Sequence, residues 1–269
     1  MTSVPAHDPG MLTTGIRVGL LDGFRLCVGQ RSAPVPLAAQ RLVALLALWD
    51  RDVARCEVSG TLWPEANQAQ ANGCLRTALW RLRRTERTLV IATPTHLGLC
   101  PAVRTDTDET IAYARRLLEP ADRCDGHPLH PQPLLGVLLP GWYDDWVVFE
   151  RERLRQLTLH ALESLADRLL DAGRFGTATD AAYGAIRADP LRESAHRTLI
   201  RVHLAEGNAH EALRTYRSYV DLLQRELGIG PSMQLTSLIR PVLPREPRHS
   251  GACQPAGPAD ARLMYARSI

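Results

Sequence analysis

Apolar residues recur along the chain with two different periods, and the change of period marks its first structural boundary. Two short apolar runs, 16–21 and 24–28, lie on either side of Asp22-Gly23, a dipeptide that is typical of a β-hairpin turn. The segment 38–49 instead spaces its leucines and its tryptophan three, four and seven residues apart, as an amphipathic helix does. A second turn, Gly29-Gln30-Arg31, follows the second run, so the pattern predicts three small strands over 16–37 and then a helix.

Two further helices are predicted after the first one. Residues 56–63 form a short helix that is stopped by Pro64, because proline cannot continue a helix. A polar link over 64–71 then leads to the segment NGCLRTALWRLRRTER, residues 72–87, in which Glu86 is the only acidic residue among several arginines. We call residues 72–87 the basic segment and expect it to be helical.

A second hairpin is predicted after the basic segment. Apolar runs at 88–92 and 99–105 lie on either side of Pro-Thr-His-Leu-Gly, residues 94–98, which are suited to a turn. Small strands, three helices and a final hairpin occur in this order in a winged helix-turn-helix, a fold in which one helix is presented to DNA.

A helical region begins near residue 105. The small polar and acidic residues at 105–109 suit the first turn of a helix, because they cap its N–H groups and complement its dipole. Residues 141–228 are expected to be nearly all helical. The intervening loop contains two candidate metal ligands, His127 and His130, but the neighbouring prolines disfavour a helical ligand spacing. A plain loop without a metal is the favoured interpretation.

The helical region contains an internal repeat. A shift of 34 residues aligns five identities: Ala161 with Ala195, Leu165 with Leu199, Leu170 with Leu204, Gly173 with Gly207, and Ala178 with Ala212. This period is that of the tetratricopeptide helix-turn-helix unit, whose stacked pairs form surfaces for partners. The second unit has Gln224 at the position equivalent to Pro190, so we expect it to end the array.

The basic segment has two faces when its residues are placed about 100° apart. The apolar face, expected to pack against the first two helices, contains Leu75, Ala78, Leu79 and Leu82. The opposite face contains the candidates for DNA contact: Thr77, Trp80 and Arg84, flanked by Arg76, Arg81, Arg83 and Arg87. Arginine suits this role because its planar guanidinium group binds phosphate or the O6/N7 edge of guanine. The alternative is a solvated helix whose cations only complement its C-terminal dipole.

Two residues of the basic segment have ambiguous roles. Trp80 either contacts sugar and base edges or packs onto a neighbouring helix or the wing, and packing is the favoured interpretation. Gly73 lies near the expected start of the helix, where it costs about 1 kcal/mol relative to alanine. Its small size would allow close approach of a phosphate group.

Composition narrows the classes of function without selecting one. The net charge of +3 is too small to indicate a nucleic-acid partner by itself. The six cysteines are scattered without a CxxC pair, which favours free thiols over a disulfide or zinc framework. We find no bilayer-spanning apolar run and no secretory leader, so we expect a soluble cytoplasmic protein with no membrane partner. Motifs typical of enzymes are not found either, so neither catalysis nor a cofactor is expected.

The order of these segments resembles a known family. The segments RVGLLDGFRLCV, PVPLAAQRLVALLAL, GTLWPEA and LRTALWRLRR are similar to the OmpR-type winged-helix domain of the Streptomyces antibiotic regulatory protein (SARP) family. The later segments GWYDDWVVFERERLRQL and RADPLRESAHRTLIRVHLAEGNAHEALRTYRSYVDLLQRELGIGPS resemble that family's bacterial transcriptional activator domain. Together these segments cover roughly residues 16–243.

The resemblance implies a mainly α fold with two domains. A winged helix with a small β-sheet over 15–105 would precede an all-α, tetratricopeptide-like activator domain over 106–243, with flexible tails at 1–14 and 244–269. By position in the motif, the residues assigned to the DNA-facing helix are Arg76, Thr77, Trp80, Arg81, Arg83 and Arg84. Thr93, Thr95 and His96 would lie at or near the wing tip. This turn lacks arginine, which leaves open whether the wing contacts DNA.

The resemblance also implies a function. We expect a sequence-specific regulator that binds direct repeats in double-stranded DNA near a promoter, docks there as a homodimer and activates transcription by recruiting RNA polymerase holoenzyme. Secondary-metabolite genes would be candidate targets. The alternative is a tetratricopeptide-like interaction scaffold whose winged helix no longer binds DNA, a hypothesis that the arginine-free wing keeps open.

Overall fold

The computed structural model of the chain describes residues 15–84, 88–120 and 129–243. The strands in these ranges are β1 (Ile16–Gly19), β2 (Arg25–Val28), β3 (Arg31–Ser32), β4 (Val53–Ala54), β5 (Val90–Ala92), β6 (His96–Leu99) and β7 (Val103–Thr105). The α-helices are α1 (Leu37–Trp49), α2 (Arg55–Leu62), α3 (Gln68–Arg83), α4 (Asp106–Leu118), α5 (Asp145–Asp171), α6 (Phe175–Ala188), α7 (Glu193–Ala205), α8 (Ala209–Leu227) and α9 (Met233–Ile239). None of these helices is both long and apolar enough to cross a bilayer.

The N-terminal hairpin forms where the sequence predicts it. β1 and β2 pair antiparallel, with Ile16 opposite Val28. Asp22 and Gly23 lie in the connection with positive φ angles of 57° and 118°, a conformation that glycine adopts without steric cost and that aspartate tolerates. β3 pairs with β2 at one edge of this sheet, whose strand order is β3-β2-β1-β7.

The last strand of this sheet follows the second hairpin in the chain. β7 pairs in parallel with β1, so that Val18 lies opposite Thr105. The run 99–105, predicted to form one arm of the second hairpin, is therefore divided between two sheets: Leu99 ends β6, and Val103–Thr105 forms β7. That part of the prediction is wrong because the pairing joins residues far apart in sequence, which no local pattern indicates.

The second hairpin, β5 and β6, forms a three-stranded sheet with β4. Its turn is shorter than the predicted 94–98, because His96 already begins β6. The backbone N–H of His96 donates to the Thr93 hydroxyl at 2.8 Å and closes the turn. Leu97, which was expected in the turn, is fully buried and so belongs to the strand pattern. This hairpin is the predicted wing.

The three helices of the N-terminal half form as predicted, except at the start of α3. α3 begins at Gln68, four residues before the basic segment, so the second half of the predicted link 64–71 is helical. The cause is a reciprocal capping box between Asn67 and Gln70. The N–H of Gln70 donates to Asn67 Oδ1 at 3.0 Å, and the N–H of Asn67 donates to Gln70 Oε1 at 3.3 Å.

The helices α5 to α8 confirm the repeat. Both helix pairs turn at a glycine with positive φ, Gly173 at 68° and Gly207 at 83°. The N–H of Arg174 donates to the Leu169 carbonyl at 2.8 Å, and the equivalent residues of the second unit, Asn208 and His203, make the same bond at 2.8 Å. The aligned alanines and leucines that face the core are buried in both units: Ala161 and Ala195, Leu165 and Leu199, Ala178 and Ala212. α9 then packs against α7 and α8.

The winged helix and the helices α4 to α9, which we call the helical half, share an apolar core. Val147 and Leu154 of α5 are buried in the same cluster as the leucines of α1 and the apolar residues of β1. The N–H of Leu139 donates to the Leu20 carbonyl at 2.9 Å, which bonds the segment before α5 to the first hairpin. The helical half is therefore fixed against the winged helix. As part of the winged helix, α3 has a defined orientation relative to the helical half.

Candidate nucleic-acid interface

The inward face of α3 is apolar and buried, as predicted. Leu75, Ala78 and Leu82 are at most 3% exposed, and Ala71 joins them in the turn that precedes the basic segment. Leu79 is half-buried against the same core. α3 packs against α1 and α2 through this face. Burial along about three turns holds the helix rigidly and leaves its other side to the solvent.

The outward face of α3 presents all the described candidates for DNA contact to solvent: Arg76, Thr77, Trp80, Arg81, Arg83 and Arg84. Within the ranges that the structure describes, none of these arginines forms a salt bridge with a carboxylate. The seventh candidate, Arg87, lies outside the described residues. The face therefore carries positive charge that the described carboxylates do not neutralise by direct contact.

Some arginines of the helical half are paired with carboxylates. Arg155, for example, bonds Glu152 at 2.8 Å and Asp189 at 3.2 Å. Hydrogen bonds from Arg155 and Gln156 lower the pKa of Glu152 to about 2. Arg192 is likewise paired, with Glu163 at 2.8 Å. On α3 and its C-cap, by contrast, four arginines without a described carboxylate partner lie within nine residues, 76–84.

Trp80 is exposed, so the interpretation that it packs onto a neighbouring element is wrong. Its side chain is 57% exposed, because a position five residues after Leu75 lies about 140° around the helix from the buried stripe. The guanidinium carbon of Arg84 lies 5.0 Å from the centroid of the indole ring. This cation–π contact, on the order of 0.5–1 kcal/mol at an exposed site, orders the ring while leaving one side open.

Gly73 lies in the second turn of α3 rather than at its start, because the helix begins at Gln68. A Cβ atom built there would meet only Arg76 Nη2, at 3.7 Å, which is an ordinary contact. Gly98 differs, since a Cβ there would lie 2.2 Å from Asp52 Oδ1. Packing within the protein thus explains Gly98 but does not require glycine at position 73.

The wing residues Thr93, Thr95 and His96 are exposed at the hairpin turn. The turn itself has no arginine, but Arg55, the first residue of α2, is bonded to it. Arg55 Nη1 donates to the Thr93 carbonyl at 3.3 Å, and its backbone N–H donates to the Thr95 carbonyl at 2.9 Å. Sequence reasoning missed this cation, because only the tertiary pairing of β4 with β6 brings α2 next to the wing.

The loop histidines do not form a metal centre among the described residues. His130 donates its backbone N–H to the Tyr113 hydroxyl at 3.2 Å, and this hydroxyl donates to the His130 carbonyl at 3.0 Å. The two rings stack with centroids 6.0 Å apart. The second candidate, His127, lies outside the described residues. No group of three or more potential ligands occurs in the described ranges.

Comparison with known proteins shows what the chain is similar to. The model of the bacterial transcriptional activator domain matches residues 131–243. The chain is 28% identical over 236 residues to the regulatory protein AfsR of Streptomyces coelicolor. The part of the chain from 131 to 243 is thus similar to a bacterial transcriptional activator domain. The match covers 84% of this chain and 23% of AfsR.

A solved structure has a similar fold. Mycobacterium tuberculosis EmbR, in complex with a low affinity phosphopeptide, aligns with a TM-score of 0.68 at 19% sequence identity. The alignment covers 85% of this chain and 65% of the EmbR chain. At this identity the likeness concerns the fold, a winged helix followed by a helical repeat. The chain spans less than two thirds of the length of either relative.

Proposed function

We propose that this SARP-like protein is a sequence-specific DNA-binding transcriptional activator. The observation that carries the proposal is the division of α3 into a buried apolar face and an outward face. The outward face has an exposed tryptophan and four exposed arginines that no described carboxylate pairs. A helix held in this way fits the major groove of B-DNA, where arginine binds phosphates and guanine edges. The DNA contacts are assigned to Arg76, Thr77, Trp80, Arg81, Arg83, Arg84 and Arg87.

The wing is a second contact in this proposal. Thr93, Thr95 and His96 supply hydroxyl and imidazole groups, and Arg55 supplies the cation that the turn lacks. Arg55 lies at the base of the turn and is bonded to it. The arginine-free wing therefore has a neighbouring cation available for the DNA backbone.

The helical half is assigned to protein partners. In the proposed mechanism it recruits RNA polymerase holoenzyme, while two copies of the chain bind direct repeats near a promoter in the cytoplasm. Secondary-metabolite genes are the candidate targets. Two observations support a docking role: the match to the activator domain over 131–243, and exposed aromatic rings at Tyr143, 83% exposed, and Phe149, 70% exposed.

The same exposed rings favour a second candidate, an interaction scaffold whose winged helix does not bind DNA. The two candidates differ in one measurement. Fluorescence anisotropy with labelled duplexes from promoters of neighbouring genes should give saturable binding that weakens with salt if the chain is a DNA-binding regulator. A scaffold would retain protein partners but give no salt-sensitive DNA binding, and that result would overturn the proposed function.

A further inference from the structure

The capping box extends the outward face of α3 beyond the basic segment. Because α3 begins at Gln68, its first two turns place Ala69, Asn72 and Gly73 on the surface that precedes Arg76. These four residues occupy positions i, i+3, i+4 and i+7, which share a face of an α-helix. We call Ala69, Asn72, Gly73 and Arg76 the N-terminal stripe.

The N-terminal stripe combines small residues with two recognition groups. Ala69 is exposed, and Gly73 is partly exposed and has no side chain, so no large side chain projects from either position. Asn72 and Arg76 are four positions apart and are therefore neighbours on the helix surface. The stripe thus presents one amide group and one guanidinium group beside two positions that lack large side chains.

Asn72 is held in place by a short chain of hydrogen bonds. Gln68 Nε2 lies 3.2 Å from Ser59 Oγ on α2 and 3.2 Å from Asn72 Oδ1. The bond occupies one of the two lone pairs of Asn72 Oδ1, so the other lone pair and the Nδ2 hydrogens are left for a ligand. A preorganised amide loses less conformational freedom on binding than a mobile one.

Arg76 is directed towards the N-terminal end of α3. Its Nη2 atom lies 3.7 Å from the position that a Cβ atom of residue 73 would occupy. Long side chains on a helix lean in this direction, over the preceding turn. The guanidinium group of Arg76 therefore lies over Gly73 and belongs with Asn72 rather than with the arginines near the C-terminal end of the helix.

The length of α3 prevents all of it from contacting bases when it crosses the groove. Its 16 residues span about 24 Å at 1.5 Å per residue, whereas the major groove is about 12 Å wide. About half of the helix can therefore lie at the base edges. The other half must lie over the phosphate backbone.

The side chains differ between these halves. Asparagine binds adenine through its N6/N7 edge, and arginine binds guanine through O6/N7, which are the groups of the N-terminal stripe. The C-terminal half instead carries Trp80 stacked with Arg84, together with Arg81 and Arg83. That half is bulky and cationic, as suits phosphate contacts.

We propose that Asn72 and Arg76 determine sequence preference by contacting base edges, while Arg81, Arg83 and Arg84 bind phosphates. This inference rests on the proposed function and specifies how α3 is used. It adds Asn72 to the DNA contacts, gives Gln68 the role of positioning its amide, and limits three arginines to contacts that carry no sequence information.

The test is selection of bound duplexes from a randomised DNA library by the full chain, followed by sequencing and by affinity measurements at several salt concentrations. Asn72→Ala should lose the preference at one or two base positions with an unchanged salt slope. It should bind the wild-type consensus about 5- to 150-fold more weakly, the range for one bidentate contact. Arg76→Ala should lose the preference at an adjacent position.

Two further variants separate base contact from phosphate contact and from positioning. Arg83→Ala should keep the consensus and lower the magnitude of the salt slope by about 1. Gln68→Ala removes the 3.2 Å bond to Asn72 Oδ1 but leaves the amide itself. It should therefore keep the consensus and bind more weakly than the wild type but more tightly than Asn72→Ala.

Asn72→Ala is the decisive variant, because a partly exposed helical asparagine is replaced by a better helix former and folding is not at risk. An unchanged consensus in both Asn72→Ala and Arg76→Ala, or a changed consensus in Arg83→Ala, would overturn the inference while leaving DNA binding intact. A wild-type chain that enriches no sequence would overturn the proposed function itself, and the base assignment with it.

Discussion

Arg84 stacks over the exposed ring of Trp80, with its guanidinium carbon 5.0 Å from the ring centroid. The contact joins consecutive turns of α3 on its outward face, since the two residues are four positions apart. This large aromatic ring contributes little to the protein core, yet a cation orders it. Such a ring is suited to contact a ligand such as the sugar-phosphate backbone. Several consequences of this surface can be measured.

Trp80→Ala should separate DNA binding from stability. Because the side chain is 57% exposed, we expect the free energy of unfolding to change by less than about 1 kcal/mol, measured by urea denaturation. DNA affinity should fall at least severalfold in fluorescence anisotropy. Tyr143→Ala, at an 83% exposed aromatic on the helical half, is the matched control and should leave DNA affinity unchanged. A large loss of stability with unchanged DNA affinity would instead show that Trp80 is structural.

Gly73→Ala should stabilise the protein and weaken its DNA complex. The added Cβ meets only Arg76 Nη2 at 3.7 Å, so the gain in helix propensity of about 1 kcal/mol should appear as a higher urea midpoint. The methyl group would lie between Asn72 and Arg76 on the N-terminal stripe and should lower DNA affinity by keeping DNA farther from the helix backbone. Gly176→Ala on α6 also meets no atom closely and should leave DNA affinity unchanged. Stabilisation with full DNA affinity would mean that DNA does not approach Gly73.

Arg55→Ala should show that the wing depends on a cation outside its turn. The variant loses the 3.3 Å bond to the Thr93 carbonyl, and its DNA affinity and salt slope should both fall, the slope by about 1 if Arg55 binds a phosphate. Arg51→Ala is the control, since Arg51 is exposed but paired with Glu57 at 2.6 Å. Equal effects of the two substitutions would argue that only the overall positive charge matters.

His196 should make the helical half sensitive to acid. Its ring is 7% exposed and stacks on Tyr219 with centroids 4.1 Å apart. Burial lowers the pKa of His196, although the Pro190 carbonyl and Glu193 oppose the shift. The folded state therefore favours the neutral ring. This contribution to stability is complete above the unfolded-state pKa near 6.5 and is lost as the pH falls below it toward the folded-state pKa.

The repeat supplies a substitution that tests this pH dependence. Leu162 occupies the equivalent position of the first unit, 34 residues earlier, and is 1% exposed. His196→Leu should therefore fit the site and reduce the loss of unfolding free energy between about pH 7.5 and about pH 5.5. Urea denaturation at the two pH values measures the difference. An equal loss in both proteins would assign the acid sensitivity to other groups.

Local patterns were sufficient to predict much of this fold. Asp22-Gly23 located the first hairpin, the leucine spacing located α1 and the buried face of α3, and the repeat period located the turns at Gly173 and Gly207. Each of these signals depends on residues close in sequence or on exact recurrence. The domain boundary between 105 and 106 stays a prediction, as do the DNA contacts.

The remaining features depend on contacts between distant residues or on a weak local signal. The parallel pairing of β7 with β1 and the bond from Arg55 to the wing arise from tertiary packing. The position of Trp80 around the helix already indicates that its side chain is exposed. The prediction nevertheless favoured packing, because aromatic side chains are attracted to a core. The residues of the capping box, Asn67 and Gln70, are present in the sequence. The polar residues around them led to the prediction of a link instead of a helix start.

The central claim is that the outward face of α3 binds DNA through its exposed arginines. The most direct test is the salt dependence of DNA affinity for the wild type and for the double variant Arg81→Ala/Arg83→Ala. Arg225→Ala on α8 is the control, at an exposed arginine that no described carboxylate pairs. We predict that the double variant keeps its helical circular dichroism while the magnitude of its salt slope falls by about 2, and that the control matches the wild type. A double variant with wild-type affinity and salt slope would contradict the account.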